Sequence, residues 1–274
     1  MVLIIIAVLV VLIVVTVLVL IWMQPKQIES FQSYETPVMD SQATQCLLFK
    51  THQWNDEIDA WYRRLVTECP YTVYLMYHND NLDLSAIPTD LHGAVMVYSE
   101  EMIRTVYPEA PFYGMWLSNH WILSWAMKTL SYDYVWNIEY DVRIVGDSRW
   151  IWTYRGGEDF IYPIATFQNP DWPYREMYRG PLTHAEKWYG YLQLARYSRR
   201  FLQYLDAIYP VENGQDELIT YSLFHRSGMT GSHHLLGPWI KSSWFVDNVH
   251  IPANRERIRA AEAKGDRLLV HPVK

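Results

Sequence analysis

The segment Tyr134-Val135-Trp136-Asn137-Ile138-Glu139-Tyr140-Asp141-Val142-Arg143 constrains the fold more than any other part of the chain. An apolar run suited to a buried strand stops abruptly at two acids spaced one residue apart. Side chains at i and i+2 of a strand lie on one face, so Glu139 and Asp141 can converge on one point. Two like charges at a buried strand tip are costly unless a cation or a ligand sits between them. Carboxylate oxygens suit hard cations such as Mg²⁺ or Mn²⁺, and these bridge proteins to diphosphates. By spacing alone the segment is equally a strand running into a polar loop, and the rest of the chain must decide.

Met1 to Met23 is almost wholly apolar, and no charge precedes Lys26. About twenty such residues span a bilayer as a helix. A cleavable signal would need a basic n-region and a small-residue cleavage site, neither of which is evident. Trp22 followed by Gln24-Pro25-Lys26 reads as an interfacial edge. Residues 1–23 are therefore expected to form an uncleaved single-pass anchor. Residues 24–45, polar and carrying Pro25 and Pro37, are expected to form a stem. Only the α-amino group and Lys26 flank the anchor, so its orientation stays open between a Golgi or ER lumen and the cytoplasmic face.

Residues 46–274 suffice for one large domain with a substantial core. A net charge of −7 argues against nucleic acid as a partner, because phosphate binding needs a basic face. Cys46 and Cys69 fit one luminal disulfide or two reduced thiols equally well. No Asn-X-Ser/Thr sequon occurs, which disfavours a heavily glycosylated luminal ectodomain.

Along this domain, Cys46–Lys50 reads as a buried strand. Asn55 or Asp56 caps a helix with Ile58, Trp61, Tyr62 and Leu65 at helical spacing, stopped by Pro70. Thr72–Tyr77 and Ala94–Tyr98 are further strands, residues 114–130 suit a helix, and the acidic strand follows. This order predicts an α/β, Rossmann-like domain with a mostly parallel central sheet. Ligands collect at the carboxyl ends of such strands, and Lys50-Thr51-His52, His78-Asn79-Asp80 and Glu139-Tyr140-Asp141 all fall there.

Downstream, residues 184–209 read as one amphipathic helix with Arg196, Arg199 and Arg200 on a solvated face. Asn213-Gly214 makes a turn, and Asp216-Glu217 open a further helix over 218–224. Residues 253–264 form a charged helix stopped by Gly265. A last strand, Leu268–Val270, delivers His271-Pro272-Val273-Lys274. His233 and His234 are read as loop residues.

Taken together, these residues resemble a GT-A nucleotide-sugar glycosyltransferase. The resemblance rests on the strand ending in Lys50-Thr51, the Tyr77-His78-Asn79-Asp80 tip, the Tyr134–Arg143 block with Glu-Tyr-Asp in place of the family's DXD, Gly214-Gln215-Asp216-Glu217, and the terminal His271-Pro272-Val273-Lys274. It extends to little-characterised eukaryotic and algal-virus glycosyltransferases with an acidic strand end of this type. The resemblance implies a Mn²⁺ or Mg²⁺ cofactor, a nucleotide-sugar donor with a uridine diphosphate sugar as default and xylose as the leaning within it, and a glycan or glycoprotein acceptor. Asp141 would ligate the metal, Glu139 would share it or contact donor hydroxyls, and His271 would close the shell, with His250 as competitor. Thr51, Asn79 and Asp80 would hold the nucleoside, and Lys274 would touch phosphate. Asp216 or Glu217 would be the base of an inverting transfer. The rival readings are an anchored carbohydrate-binding protein without turnover and a metal-dependent phosphoesterase.

Overall fold

The computed structural model describes residues 37–108, 119–169, 171–241, 243–245 and 248–274. The anchor expected over 1–23 and most of the stem lie outside the described residues. Among the described residues no helix is long and apolar enough to cross a membrane.

The elements in chain order are β1 (Gln45–Thr51), α1 (Asp56–Glu68), β2 (Val73–His78), β3 (Val95–Tyr98), α2 (Glu100–Val106), α3 (Asn119–Thr129), β4 (Tyr134–Glu139), β5 (Arg143–Val145), α4 (Arg149–Trp152), β6 (Phe160–Ile161), β7 (Leu194–Ser198), α5 (Arg199–Ile208), α6 (Asp216–Ser227), β8 (Gly231–Ser232), α7 (Ile251–Lys264) and β9 (Leu268–Val270). Seven strands form one sheet in the order β3-β2-β1-β4-β7-β6-β8, and β5 pairs with β9 apart from it. Pairings β3–β2, β2–β1, β1–β4 and β6–β8 are parallel, whereas β7 is antiparallel to both β4 and β6. This is the expected α/β architecture with a mostly parallel central sheet.

The sheet is buried on both faces, so its strands read as continuous apolar runs rather than alternating ones. Cys46 and Leu48 of β1 and Val135 of β4 pack on one side with α3, α5 and α6. Leu47 and Phe49, with Trp136 and Ile138, pack on the other with α1. Alternation then places Lys50 and Glu139 on the α6 side, and the parallel register sets them opposite one another. The chain leaves β1 for β2 and β3 on one flank and returns as β4 on the other. The β1/β4 boundary is thus a topological switch point, where an open α/β sheet presents a crevice beyond its strand ends.

Helix α1 begins as the sequence suggests, with the Asn55 side chain accepting the Ile58 N–H at 3.0 Å. Two expectations are corrected. Residues 184–209 are not one helix: they run through a short 3₁₀ turn and an extended stretch into β7, and α5 starts only at Arg199, capped by Ser198. Nor is Arg196 solvated. Its guanidinium is fully buried, pairs with Glu158 at 3.2 Å and lies over the Tyr134 ring at 4.7 Å. Arg199 donates to the Tyr132 carbonyl, and Arg200 to the Asp159 carboxylate.

The end of the expected stem is also packed. Met39 is buried and its N–H donates to the Arg155 carbonyl at 2.9 Å, while Gly157 N–H donates to the Pro37 carbonyl. A side chain at Gly157 would press on the Pro37 and Val38 backbone at 3.1 Å, so this strap needs a glycine beneath it. Cys46 and Cys69 are both buried and free.

Candidate active site

A cavity of about 650 Å³ opens beyond the carboxyl ends of β1 and β4. Its floor begins at Lys50, a residue only 4% exposed, whose ammonium stands 3.3 Å from Glu139 Oε1. Burial lowers the Lys50 pKa below the ordinary lysine range, while Glu139 and Asp216 act to keep the ammonium charged.

Strand β4 ends at Glu139. The next residues form a turn in which Val142 N–H donates to the Glu139 carbonyl at 3.0 Å. Asp141 therefore reaches the site from a turn rather than from the strand itself, and it is buried. The opposing ligand arrives from the end of the chain. β9 pairs antiparallel with β5, Arg143 against Val270, and Val273 N–H then donates to the Asp141 carbonyl at 2.7 Å. Between these two ties His271 is held facing Asp141, its Nε2 3.6 Å from Asp141 Oδ1. Its Nδ1 is hydrogen-bonded to the Phe245 carbonyl, which leaves Nε2 for the site.

One ligand atom from each of Glu139, Asp141 and His271 lies within 4.8 Å of the other two, the one such grouping among the described residues. At 3.6 Å the Asp141–His271 contact is an ion pair rather than a hydrogen bond, and Asp141 Oδ1 is buried without a hydrogen-bond partner. An orphaned carboxylate oxygen facing a second carboxylate and an imidazole nitrogen suits a hard or borderline divalent cation. The residues therefore fit the metal that the sequence implied.

The charges are mutually adjusted. Burial raises the Asp141 carboxyl, but His271, followed by Lys274, overrides this and holds it below the ordinary carboxylate range. Burial lowers the His271 imidazole, but Asp141, Glu139 and the Phe245 carbonyl together hold it above the ordinary histidine value.

A second carboxylate pair enters from the start of α6. Gln215 caps this helix, its Oε1 accepting the Leu218 N–H at 3.1 Å. Gln215 Nε2 donates to Asp216 Oδ1 and to Glu217 Oε2, each at 3.1 Å. Gln193 Nε2 donates to Glu217 Oε1 at 3.0 Å, and the Gln193 carbonyl accepts the Glu139 N–H at 2.9 Å. One residue thus links the acid pair to the tip of β4. Asp216 and Glu217 are both buried and line the cavity. Burial, and then the neighbouring Asp216 charge, push the Glu217 carboxyl well above its ordinary range.

Of the residues singled out in the sequence, Thr51, Glu139, Asp141, Asp216, Glu217, His271 and Lys274 line this cavity. Asn79 and Asp80 do not. The Asn79 side-chain Oδ1 accepts the N–H groups of Asn81 and Asp83, so it serves its own turn, and Asp80 Oδ1 accepts the N–H of Glu100 at 3.0 Å, so it serves the start of α2. His78, at the same strand end, lines the cavity instead and stacks on Tyr98. His250 stacks on Phe245 and is not part of the three-ligand grouping. His233 and His234 line a separate small cleft. Gln193 and Trp172 were not singled out, and Lys50 and Gln215 were quoted only as parts of matching segments, without a role of their own. Lys50 had a visible signal, a charge at the end of an apolar run; the others are brought in by contacts between segments distant in sequence.

A family model described as "Protein of unknown function (DUF3405)" matches residues 76–151. No curated protein matches the chain. Among solved structures, CMP:2-keto-3-deoxy-manno-octonic acid synthetase complexed with CTP is 10% identical, with a TM-score of 0.43 over 81% of this chain and 99% of that one. A mannosyltransferase from Pyrobaculum calidifontis in complex with GDP-Man and Mn²⁺ is 12% identical, with a TM-score of 0.41 over 72% and 56%. Glucosyl-3-phosphoglycerate synthase from Mycobacterium tuberculosis, in complex with Mn²⁺, uridine diphosphate and phosphoglyceric acid, is 14% identical, with a TM-score of 0.32 over 45% and 43%. In that alignment the chain spans less than half the length of the synthase. None of the three reaches a TM-score of 0.5, and the chemistry of the site rests on this chain's own residues.

Proposed function

We propose that the chain is a metal-dependent glycosyltransferase of GT-A type, moving a sugar from a nucleoside diphosphate donor to a glycan or glycoprotein hydroxyl. One observation carries this reading. A cation-binding trio and a separate buried acid pair face the same 650 Å³ cavity, with the Lys50 ammonium beside them. A second, protonatable carboxylate pair set apart from the cation trio is what removing a proton from an acceptor hydroxyl requires, which favours transfer over the phosphoesterase and passive-binding readings.

Glu139, Asp141 and His271 Nε2 would hold Mn²⁺ or Mg²⁺, which would supply positive charge to stabilise a departing diphosphate. Lys50 adds fixed positive charge at the same place. Thr51 and His52 line the cavity at the end of β1, and the nucleoside is assigned to that side. Glu217, with its raised proton affinity, takes the proton of the acceptor hydroxyl, because a base is most effective when its pKa approaches the working pH. Asp216 keeps that affinity high by standing next to it. A single displacement of this kind inverts the anomeric centre. A uridine diphosphate sugar is the donor we favour, with xylose as the leaning, and residues 1–23 serve as the membrane tether.

The test is hydrolysis and transfer from a panel of UDP- and GDP-sugars by the full chain, with Mn²⁺ and with excess chelator. Turnover that needs the metal and disappears in Asp141→Ala supports the reading. Full turnover in chelator, or none with any donor alongside intact Mn²⁺ binding, rejects it.

A further inference from the structure

The wall of the cavity beside the acid pair is aromatic. Trp172 lines it and is half-buried, with Pro173 and Tyr174 following in the same wall. The indole packs against Tyr189, tilted, at 4.9 Å between ring centroids, and against Phe167, edge-on, at 5.8 Å. Its edge is fixed as well: Trp172 Nε1 donates to Gln215 Oε1 at 3.1 Å. That glutamine is the one whose amide holds Asp216 and Glu217. The backbone clamps the segment, with Arg175 N–H donating to the Trp172 carbonyl at 3.1 Å.

A large flat ring held by two aromatic neighbours and by a hydrogen bond at its edge, and lining a cavity, is a preorganised stacking surface. The partner that such a surface selects has one flat apolar face and polar groups around its rim. A pyranose ring meets both conditions. Stacked on the indole, it places its rim hydroxyls at the edge the indole shares with Gln215, beside the two carboxylates.

We infer that Trp172 is the acceptor platform: the acceptor is a carbohydrate whose pyranose ring stacks on this indole, and Gln215 sets the platform and the Glu217 carboxylate in one fixed relation. This rests on the transferase reading and narrows its acceptor from any hydroxyl to a sugar hydroxyl. A serine or threonine side chain offers no face to stack, and a lipid alcohol offers no rim.

The experiment is saturation-transfer difference NMR on the full chain with Mn²⁺ and UDP present. The probes are the methyl glycosides of glucose, galactose, mannose and xylose. At least one probe is expected to receive saturation mainly on the C–H protons of one ring face. Trp172→Ala should reduce that signal about fivefold, the scale of an aromatic stacking contact. Mn²⁺ affinity, followed by electron paramagnetic resonance, should stay unchanged. Trp172→Phe should retain most of the signal. Trp172→Met keeps apolar bulk over Tyr189 without a flat face, and it should behave as the alanine variant does. Equal signals in wild type, Trp172→Ala and Trp172→Met would overturn the platform, as would a wild type that contacts none of the glycosides. A wild type that contacts glycosides through Trp172 but binds no Mn²⁺ would uphold the platform and overturn the transferase reading.

Discussion

Asp141 Oδ1 and His271 Nε2 face each other at 3.6 Å, each buried and each displaced from its ordinary proton affinity by the other. The pair is therefore a stability element as well as a candidate ligand set, and its pH behaviour has a definite sign. The Asp141 value is depressed, so its contribution is present above the unfolded carboxylate value of about 3.9 and is lost as pH falls below it. The His271 value is raised, so its contribution is complete below about 6.5 and is lost as pH rises through the folded value. In chelator, Asp141→Asn should lower Tm most between about pH 4 and 6.5, with the deficit shrinking on both sides. Thermal melts of both proteins across pH 3 to 9 check this; a deficit independent of pH would mean that the pair is not ionised.

Glu217 carries the opposite implication. Its carboxyl is raised by burial and by Asp216, so ionising it at neutral pH works against the fold. Glu217→Gln should melt higher than the wild type at pH 8 and equally at pH 4. Transfer should nevertheless fall by orders of magnitude with donor binding intact, because the amide keeps the shape and lacks the proton affinity. The acidic limb of the wild-type kcat/KM profile should lie well above the ordinary glutamate value of about 4.3. A retained anomeric configuration in the product, read by NMR, would return Glu217 to a purely structural role.

Arg196 should be among the most sensitive positions away from the cavity. Its guanidinium is fully buried against Glu158, itself only 5% exposed in the side chain, and it covers the Tyr134 and Trp136 rings. Arg196→Met strands a buried carboxylate and should cost about 3–5 kcal/mol in urea unfolding. Adding Glu158→Gln should recover a large part of that loss, since the stranded charge and not the missing contact is the main penalty. A double variant no more stable than the single one would assign the loss to packing instead.

The strap around Met39 bears on where a soluble domain can begin. A chain starting at Gln45 loses a buried methionine and two backbone hydrogen bonds to Arg155 and Gly157. It should be less stable than one starting at Thr36 by about 2 kcal/mol, the scale of one buried side chain. Chemical denaturation of the two proteins measures the difference directly, and identical midpoints would show the strap to be dispensable.

Much of the frame was legible in the residues. The strands β1, β2, β3 and β4 and the helices α1, α6 and α7 lie within a few residues of where apolar spacing and caps such as Asn55 put them. The failure over 184–209 has a physical cause. β7 is buried on both faces and lacks alternation, and Leu194, Tyr197, Phe201, Leu202 and Leu205 together satisfy a helical stripe. Glu139, Asp141 and His271 were visible because charge at the end of a buried strand is conspicuous. Asn79 and Asp80 looked the same, and only tertiary structure reveals that Asn79 is consumed by its own turn and Asp80 by the start of α2. Gln193, Gln215 and Trp172 carry no signal of their own, since neutral donors gain meaning only from the carboxylates they are folded against.

The pairing of β9 with β5 has a consequence for how the protein is made. Glu139 and Asp141 are translated well before the imidazole that faces them, which follows β9. Every strand of the seven-stranded sheet precedes Leu268, so that sheet can assemble before His271 has been translated. A nascent product stopped short of His271 would then keep every strand of that sheet while lacking one member of the candidate cation site. Ability to bind the ion, more than folded content, would be the proper measure of whether a preparation is whole.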